Sequence, residues 1–255
     1  MSEDISRRTV LALGAMIAGE AFLGRTGHAA PPQRRVLVWS EGTAPKKVYP
    51  KDINGAIADG LKPLEGWEIV TASLADPEQG VSDESLGKAD VLIWWGHKYH
   101  RKIEDAHVAR IVRRVKQEGM GFIALHSAHY SKPLKKLLGT PCGWKGGYVE
   151  DGSAVRLIVK DQQHPIARGV ADFTLPHTER YSEPFEAPQP ESVVLDGIYT
   201  RPDGTKEAAR QGLVWTIGQG KVFYFQPGHE TYPIFFDENV RKIMRNAVQW
   251  AAGKK

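Results

Sequence analysis

Short apolar runs that alternate with helical periods constrain the fold of this chain more than any other feature. Runs typical of buried strands share one composition, rich in Val, Ile, Leu and Trp, and occupy residues 35–39, 67–71, 90–95 and 121–125. Segments with helical spacing at 54–61 and 103–117 and a short turn at 83–86 separate them. Strand, helix and strand in succession form a crossover unit whose strands run parallel. The sequence therefore predicts an α/β fold with a mostly parallel, doubly wound sheet and helices on both faces.

The second half of the chain is less regular. Residues 142–196 are rich in Gly, Pro and charged residues, which predicts an irregular insertion that covers one edge of the sheet, although residues 154–159 alternate like a strand. Two apolar runs, 212–217 and 221–225, are joined by a Gly-Gln-Gly turn, a strong hairpin signal. A final helix is predicted from about residue 237 to 251.

The first thirty residues have the features of an export signal. Arg7 and Arg8 precede an apolar stretch over residues 9–24, and small residues follow near 29–30. This pattern predicts a twin-arginine signal peptide over 1–30 and an exported or periplasmic protein. The alternative is a frayed N-terminal helix. Residues 31–255 are expected to form one domain.

Charge and cysteine content exclude several classes of function. The net charge is +4, and the densest basic segment, residues 110–116, falls on a predicted helix with its apolar positions elsewhere. A solvated helix face is expected there, with no nucleic-acid partner. No apolar run is long enough to span a membrane. The single cysteine, Cys142, lacks the strand-to-helix turn of a nucleophile.

Three histidines directly follow apolar strands. His97, His126 and His229 each stand where a predicted strand ends, and ligands bind at the carboxyl ends of strands in open α/β sheets. If the strands are neighbours, these imidazoles converge, as metal ligation requires. Three histidines would leave an open position for a substrate oxygen. The alternative is that they bind a polar substrate or transfer protons without a metal.

Other polar residues stand near the same strand ends. His100 and His129 follow two of the histidines by three positions, Glu41 follows the first strand, and Glu183 and Glu230 are further candidates, although solvated glutamates are the default expectation. Trp94 and Trp95 are expected to face opposite sides of the sheet. Trp94 is expected in the core, whereas Trp95 is a candidate to stack on a sugar ring.

Several motifs together resemble the trehalose-utilization (ThuA-like) family over nearly the whole mature chain. They are residues 94–97 (WWGH), 125–132 (LHSAHYSK) and 223–233 (FYFQPGHETYP), supported by 164–166, 181–185 and 246–251. The resemblance implies a flavodoxin-like fold of the class I glutamine-amidotransferase type. His126 and Ser127 stand where an amidotransferase has its nucleophilic cysteine, which argues against glutamine hydrolysis.

The resemblance also implies a function in carbohydrate metabolism, beside a sugar oxidoreductase that produces 3-keto-glycosides. A divalent ion, zinc or manganese, held by His97, His126 and His229 would polarise the ketone, and a base would remove the neighbouring proton. Isomerisation or cleavage of the glycosidic bond would follow. The alternatives are a non-catalytic carbohydrate-binding protein of the cell envelope and an assembly partner with a degenerate site.

Roles for the remaining candidates follow from this hypothesis. Glu183 or His129 would act as the base, and Glu230 would orient a metal ligand. Contacts to the substrate are expected from Glu41, Trp95, His100, Lys132 and Tyr232.

Overall fold

The computed structural model describes residues 34–253, so the predicted signal peptide lies outside the described residues. The described residues form eleven β-strands and five α-helices. The strands are β1 (Arg34–Ser40), β2 (Trp67–Ser73), β3 (Val91–Trp95), β4 (Gly121–Leu125), β5 (Tyr148–Val149), β6 (Ala154–Val159), β7 (Phe173–Leu175), β8 (Arg180–Tyr181), β9 (Ser192–Thr200), β10 (Lys206–Ile217) and β11 (Gly220–Phe225). The helices are α1 (Asp52–Leu61), α2 (Asp83–Gly87), α3 (Asp105–Glu118), α4 (Lys132–Leu138) and α5 (Glu238–Ala251).

Nine of these strands form one sheet in the order β2-β1-β3-β4-β11-β10-β9-β6-β7. The first five run parallel to one another. Counted along the chain, the parallel strands have the order 2-1-3-4-5, which is the flavodoxin-like arrangement. Every residue of β3 and β4 is buried, as expected for central strands covered on both faces. The predicted α/β fold class is thus confirmed.

Helices cover both faces of the sheet, so the fold has three layers. Apolar residues of α1 and α5 pack against one face, and those of α2, α3 and α4 pack against the other. Successive side chains of a strand point to opposite faces, and Trp94 and Trp95 accordingly belong to different core clusters. Trp94 stacks on Trp39 with ring centroids 3.6 Å apart, in agreement with its predicted place in the core.

The region predicted as an irregular insertion contributes strands. Within it, β6, β7 and β9 continue the main sheet beyond β10 with antiparallel pairing, and β5 pairs with β8 in a separate two-stranded sheet. Strand β6 is the segment 154–159 whose alternation predicts a strand, whereas β7 has only three residues and Gly197 lies within β9. The periodicity of β7 and β9 is therefore weak in the sequence, although tertiary pairing fixes them as strands.

The predicted hairpin and final helix are both present. Strands β10 and β11 pair antiparallel around a turn at Gly218, whose φ is +65°. Helix α5 begins after Asp237, whose carboxylate accepts hydrogen bonds from the backbone N–H groups of Asn239 and Val240.

Within residues 34–253, no helix combines the length and apolar character needed to cross a membrane.

Candidate active site

The three strand-end histidines lie together. His97 follows β3, His126 follows β4 and His229 follows β11, and these strands are adjacent in the sheet. The ring centroids of His97 and His229 are 4.9 Å apart, and those of His126 and His229 are 5.9 Å apart. Parallel neighbours place their carboxyl ends at one edge of the sheet. Imidazoles from three distant segments therefore form one cluster.

The backbone is strained at two of these histidines. His126 has φ +50° and His229 has φ +133°, a region that residues with a side chain rarely adopt. Gly228 permits this arrangement, since a Cβ there would lie 2.4 Å from the Cβ of His126. Strained residues of this kind are concentrated at functional sites. The two positive φ values therefore mark the strand ends as a candidate site.

Hydrogen bonds determine which nitrogen of His97 carries the proton. The Ser127 hydroxyl donates to the carbonyl oxygen of Gly96 at 2.8 Å, because a carbonyl can only accept. The Nδ1 of His97 lies 3.1 Å from the same hydroxyl oxygen, so Nδ1–H donates to it. In the neutral ring, Nε2 then keeps its lone pair.

A similar chain holds His229. The Thr231 hydroxyl donates to the Glu150 carboxylate at 2.6 Å, and Nδ1 of His229 lies 2.7 Å from that hydroxyl oxygen. The ring therefore donates through Nδ1–H, and Nε2 again carries the lone pair. The Thr231 N–H also approaches Nδ1, at 3.4 Å, but this contact is longer and the 2.7 Å hydrogen bond dominates.

His126 is held differently, with both ring nitrogens facing acceptors. Nδ1 lies 2.9 Å from the carbonyl oxygen of Gln226, and Nε2 lies 2.8 Å from the Glu179 carboxylate. The Tyr181 hydroxyl is 3.2 Å from the same Nε2, and the Tyr181 ring stacks on the imidazole. His126 is completely buried and Glu179 is 4% exposed. This buried pair is fixed by hydrogen bonds on every side.

Burial sets the protonation of the cluster. Loss of solvation lowers the pKa of His97 to about 4 and also lowers the pKa of His229. Burial is the largest single influence on Glu179 and raises its pKa, but the hydrogen bonds from His126 and Tyr181 and the electrostatic attraction of His126 and His229 together outweigh burial and lower the pKa to about 2. At neutral pH, His97 and His229 are uncharged and Glu179 is a carboxylate. The site thus presents proton acceptors that need not lose a proton first.

A cavity of about 400 Å³ opens beside this cluster. Its volume lies within the range of small-molecule sites. It combines imidazole, carboxylate and hydroxyl groups with aromatic rings. The residues that line it are His97, His100, Ser127, His129, Tyr130, Gly143, Trp144, Tyr148, Glu179 and Tyr181.

Two further predicted residues, His100 and His129, line this cavity. Nδ1 of His129 donates to the carbonyl oxygen of Cys142 at 2.5 Å, and burial lowers its pKa to about 3. Burial lowers the pKa of His100 to about 4. Both are uncharged at neutral pH, which suits contact with a polar, uncharged ligand.

Glu41 and Glu230 lie under the loop that carries His97. One Glu41 oxygen accepts hydrogen bonds from the backbone N–H groups of Lys98 and Tyr99, at 2.7 and 2.9 Å. Glu230 forms an ion pair with Lys98 and accepts a hydrogen bond from Thr43. The two glutamates are 7% and 4% exposed. Their contacts show that they position this loop, and neither lines the cavity.

The structure separates the other candidates from the cavity. Trp95 is completely buried in the core, so the suggestion that it stacks on a sugar is corrected, because no face of its ring is open. Tyr232 lies beside His229, with ring centroids 6.1 Å apart. The Lys132 ammonium donates to the carbonyl oxygen of Ile103 at 2.7 Å and pairs with Asp105.

Glu183, one of the two predicted bases, is engaged elsewhere. Its two carboxylate oxygens accept hydrogen bonds from Arg210 at 2.8 and 2.9 Å. It borders a separate depression, together with residues of β9 and β10. The carboxylate that reaches the histidines is Glu179, four residues earlier. No periodic signal in the sequence marks Glu179, because the adjacent strand β8 has only two residues.

The histidine cluster only partly fits the predicted divalent ion. The Nε2 atoms of His97 and His229 suit a metal, since their Nδ1–H groups are held by hydroxyls, as is usual for metal ligands. His126 does not suit it, because its nitrogens are bonded to Gln226 and Glu179. In the part of the chain that the structure describes, no three or more His, Cys, Asp or Glu residues lie close enough to hold an ion. A three-histidine site does not fit this arrangement.

The fold and cavity define an α/β protein with a histidine-lined site at the carboxyl ends of its parallel strands. A model of the ThuA family, described as trehalose utilisation, matches residues 35–251. The chain therefore belongs to the ThuA family, which indicates a carbohydrate-related function. Comparison with curated proteins returns no match.

Solved structures share the fold. A ThuA-like protein of Bacteroides uniformis is 19% identical with a TM-score of 0.58, over 89% of this chain and 94% of that one. A ThuA-like protein of Parabacteroides merdae is 13% identical with a TM-score of 0.59, over 87% and 90%. A cytoplasmic protein of Salmonella typhimurium is 14% identical with a TM-score of 0.61, over 85% and 99%. At these identities the likeness concerns the fold alone.

Histidines that are buried and uncharged in the folded protein predict that its free energy of unfolding decreases as the pH is lowered. The pKa of His129 is about 3 in the folded protein and about 6.5 when unfolded. The unfolded chain therefore binds more protons as the pH falls below 6.5, which favours unfolding. Asn keeps a donor for the Cys142 carbonyl without titrating. We expect His129→Asn to reduce the stability lost between pH 7 and pH 5 by roughly 2 kcal/mol.

Urea unfolding at the two pH values measures this loss. The exposed His177 supplies a matched control, since His177→Asn should leave the pH dependence unchanged. Glu179 remains ionised over this interval, so it does not mask the effect. An equal loss in wild type and His129→Asn would contradict the expectation.

Proposed function

We propose that this protein is an enzyme that acts on a sugar ketone by proton transfer, with a 3-keto-glycoside as substrate. The observation that carries the proposal is the pair of uncharged imidazoles, His97 and His229, whose Nε2 lone pairs are fixed beside a buried His126–Glu179 pair. Membership of a family described as trehalose utilisation supports a carbohydrate substrate. The ketone class comes from the resemblance stated above, in which a sugar oxidoreductase supplies the substrate.

The proposed reaction begins at the carbon next to the ketone. Nε2 of His97, which lines the cavity, accepts the proton from C2 of the sugar. The electron pair of that C–H bond moves toward the C3 carbonyl, so that negative charge develops on its oxygen. A hydrogen-bond donor at this oxygen lowers the barrier. Burial raises the pKa of Tyr181 well above its ordinary value, so its hydroxyl keeps its proton. In the proposed reaction this hydroxyl shifts its hydrogen bond from Glu179 to the sugar oxygen and supplies that donor.

Two outcomes follow from the enolate. Protonation of C2 from the other face by water gives an isomer, and His97 then releases its proton to solvent. Alternatively, the electrons form a double bond between C1 and C2, the glycosidic bond at C1 breaks, and the departing oxygen takes the proton held by His97. The His126–Glu179 pair holds Tyr181 in place for either outcome. This assignment replaces Glu183 by His97 as the base, because Glu183 is bonded to Arg210.

Replacing His97 tests the assignment. We expect His97→Gln to lower kcat on 3-keto-trehalose by about 10²- to 10⁴-fold, the range for a lost general base. Glu179→Gln should also lower kcat, because it releases His126 and Tyr181. Glu183→Gln, the same change four residues away, should leave kcat near the wild-type value. Product formation followed by NMR measures all three.

The outcomes separate the alternatives. Unchanged turnover in His97→Gln would contradict its role as base, and a loss confined to Glu183→Gln would restore the carboxylate first suggested by the sequence. Binding of the sugar by wild type with no product would favour a non-catalytic carbohydrate-binding protein. If the wild type bound no sugar, the result would favour the alternative that the protein is an assembly partner with a degenerate site.

The predicted zinc or manganese ion has its own test. We expect any zinc bound by the dialysed protein to depend on His97 and His229, because their Nε2 atoms are the free ones. His126→Asn tolerates the positive φ at that position and should retain zinc affinity, whereas His97→Gln should lose it. Calorimetric titrations of wild type and both variants with zinc and with manganese measure these affinities. Equal losses would establish His126 as a ligand, and no binding of either metal by wild type would reject the cofactor prediction.

A further inference from the structure

The mouth of the cavity carries two exposed aromatic rings that the proposed chemistry does not use. Tyr130 is 49% exposed and Tyr148 is 71% exposed, although both line the cavity. Deeper lining groups such as Tyr181 and Ser127 are 4% and 5% exposed. The cavity therefore has a buried polar interior and an aromatic outer part. Large exposed apolar side chains at the edge of a pocket are typical of ligand contact.

Neighbouring side chains hold both rings in place. The Lys135 ammonium lies 3.0 Å from the centroid of Tyr130, and His100 and His129 approach the same ring edge-on at 5.9 and 6.0 Å. Tyr148 meets the buried Tyr181 edge-on at 6.3 Å. Because Tyr181 also stacks on His126, this second ring is connected directly to the reacting groups.

The two tyrosines come from different parts of the chain. Tyr130 ends the helical turn after β4, and Tyr148 belongs to β5 of the inserted region. Strand β5 is paired with β8, which carries Tyr181. The inserted region therefore supplies one ring of the mouth and the parallel sheet supplies the other. A ligand that touches both spans the opening.

We propose that Tyr130 and Tyr148 form an outer subsite that stacks on the second ring of a glycoside whose reacting sugar lies against His97 and Glu179. The faces of sugar rings are apolar and pack on aromatic side chains, whereas their hydroxyls suit the polar interior. A free monosaccharide would fill the interior and leave the tyrosines uncovered. The substrate class is accordingly a disaccharide or a glycoside with a ring-bearing aglycone. This inference rests on the proposed function.

Binding of unreactive sugars tests the subsite separately from catalysis. Trehalose and glucose are titrated into the full chain, and chemical shifts are followed by NMR. We expect wild type to bind trehalose more tightly than glucose. Tyr148→Ala should weaken trehalose binding by about three- to tenfold, as expected for one lost aromatic contact, and should leave glucose binding unchanged.

Val149 provides a matched control in the same two-residue strand. It is 42% exposed, and alternation places it on the opposite side of the strand from Tyr148. Val149→Ala should therefore alter neither affinity. In turnover of 3-keto-trehalose, Tyr148→Ala should raise KM, because it removes a contact that the substrate makes before it reacts.

The results distinguish the two proposals. Equal affinity of wild type for both sugars, or equal affinity of wild type and Tyr148→Ala for trehalose, would overturn the outer subsite and leave the proposed reaction standing. Failure of wild type to bind either sugar would overturn both. Equal weakening by Val149→Ala would show that the strand, not the ring, is responsible, and would also overturn the subsite.

Discussion

The contact between the ends of β4 and β11 is the constraint on which the site depends. Gly228 lies so close to His126 that any side chain at this position would overlap the imidazole. The same approach lets the Gln226 carbonyl accept a hydrogen bond from His126. His126 is thereby turned toward Glu179, and His229 follows directly on the same strand end. The two positive φ values at these histidines are the backbone cost of that contact.

Further hydrogen bonds and ion pairs fix the segments that surround the contact between the ends of β4 and β11. Glu41 holds the loop of His97 by two backbone hydrogen bonds. On the opposite side, Arg180 is 5% exposed and pairs with Asp151 and Glu207, which fixes strand β8 with Tyr181 and the preceding residue, Glu179. The reacting groups therefore belong to rigid elements, and their hydrogen-bond partners set the tautomers. Preorganisation of this kind favours transition-state stabilisation over adaptable binding.

Sequence reasoning succeeded where local pattern and topology agree. Strands β3 and β4 are continuous apolar runs, and parallel strands of an α/β sheet end at one edge. The positions of His97, His126 and His229 thus predicted their convergence.

Sequence reasoning failed where pairing between distant segments determines which residues reach the cavity. Glu179 and Tyr148 reach the cavity through the β5–β8 sheet, whose two-residue strands leave no periodic signal. Glu183 was an equally good candidate in the sequence, and only the position of Arg210 distinguishes it. Trp95 follows the strand alternation correctly, but the depth of the core beneath α1 and α5 was not predictable.

The account centres on two uncharged imidazoles, His97 and His229, that carry their protons on Nδ1 and keep a lone pair on Nε2. Long-range ¹H–¹⁵N NMR of the histidine side chains at pH 7 reads this directly. The account predicts Nδ1–H tautomers for both His97 and His229, with both sets of ring signals shifting together when trehalose is added. An Nε2–H tautomer at either residue, or ring signals that stay unchanged at saturating sugar, would contradict it.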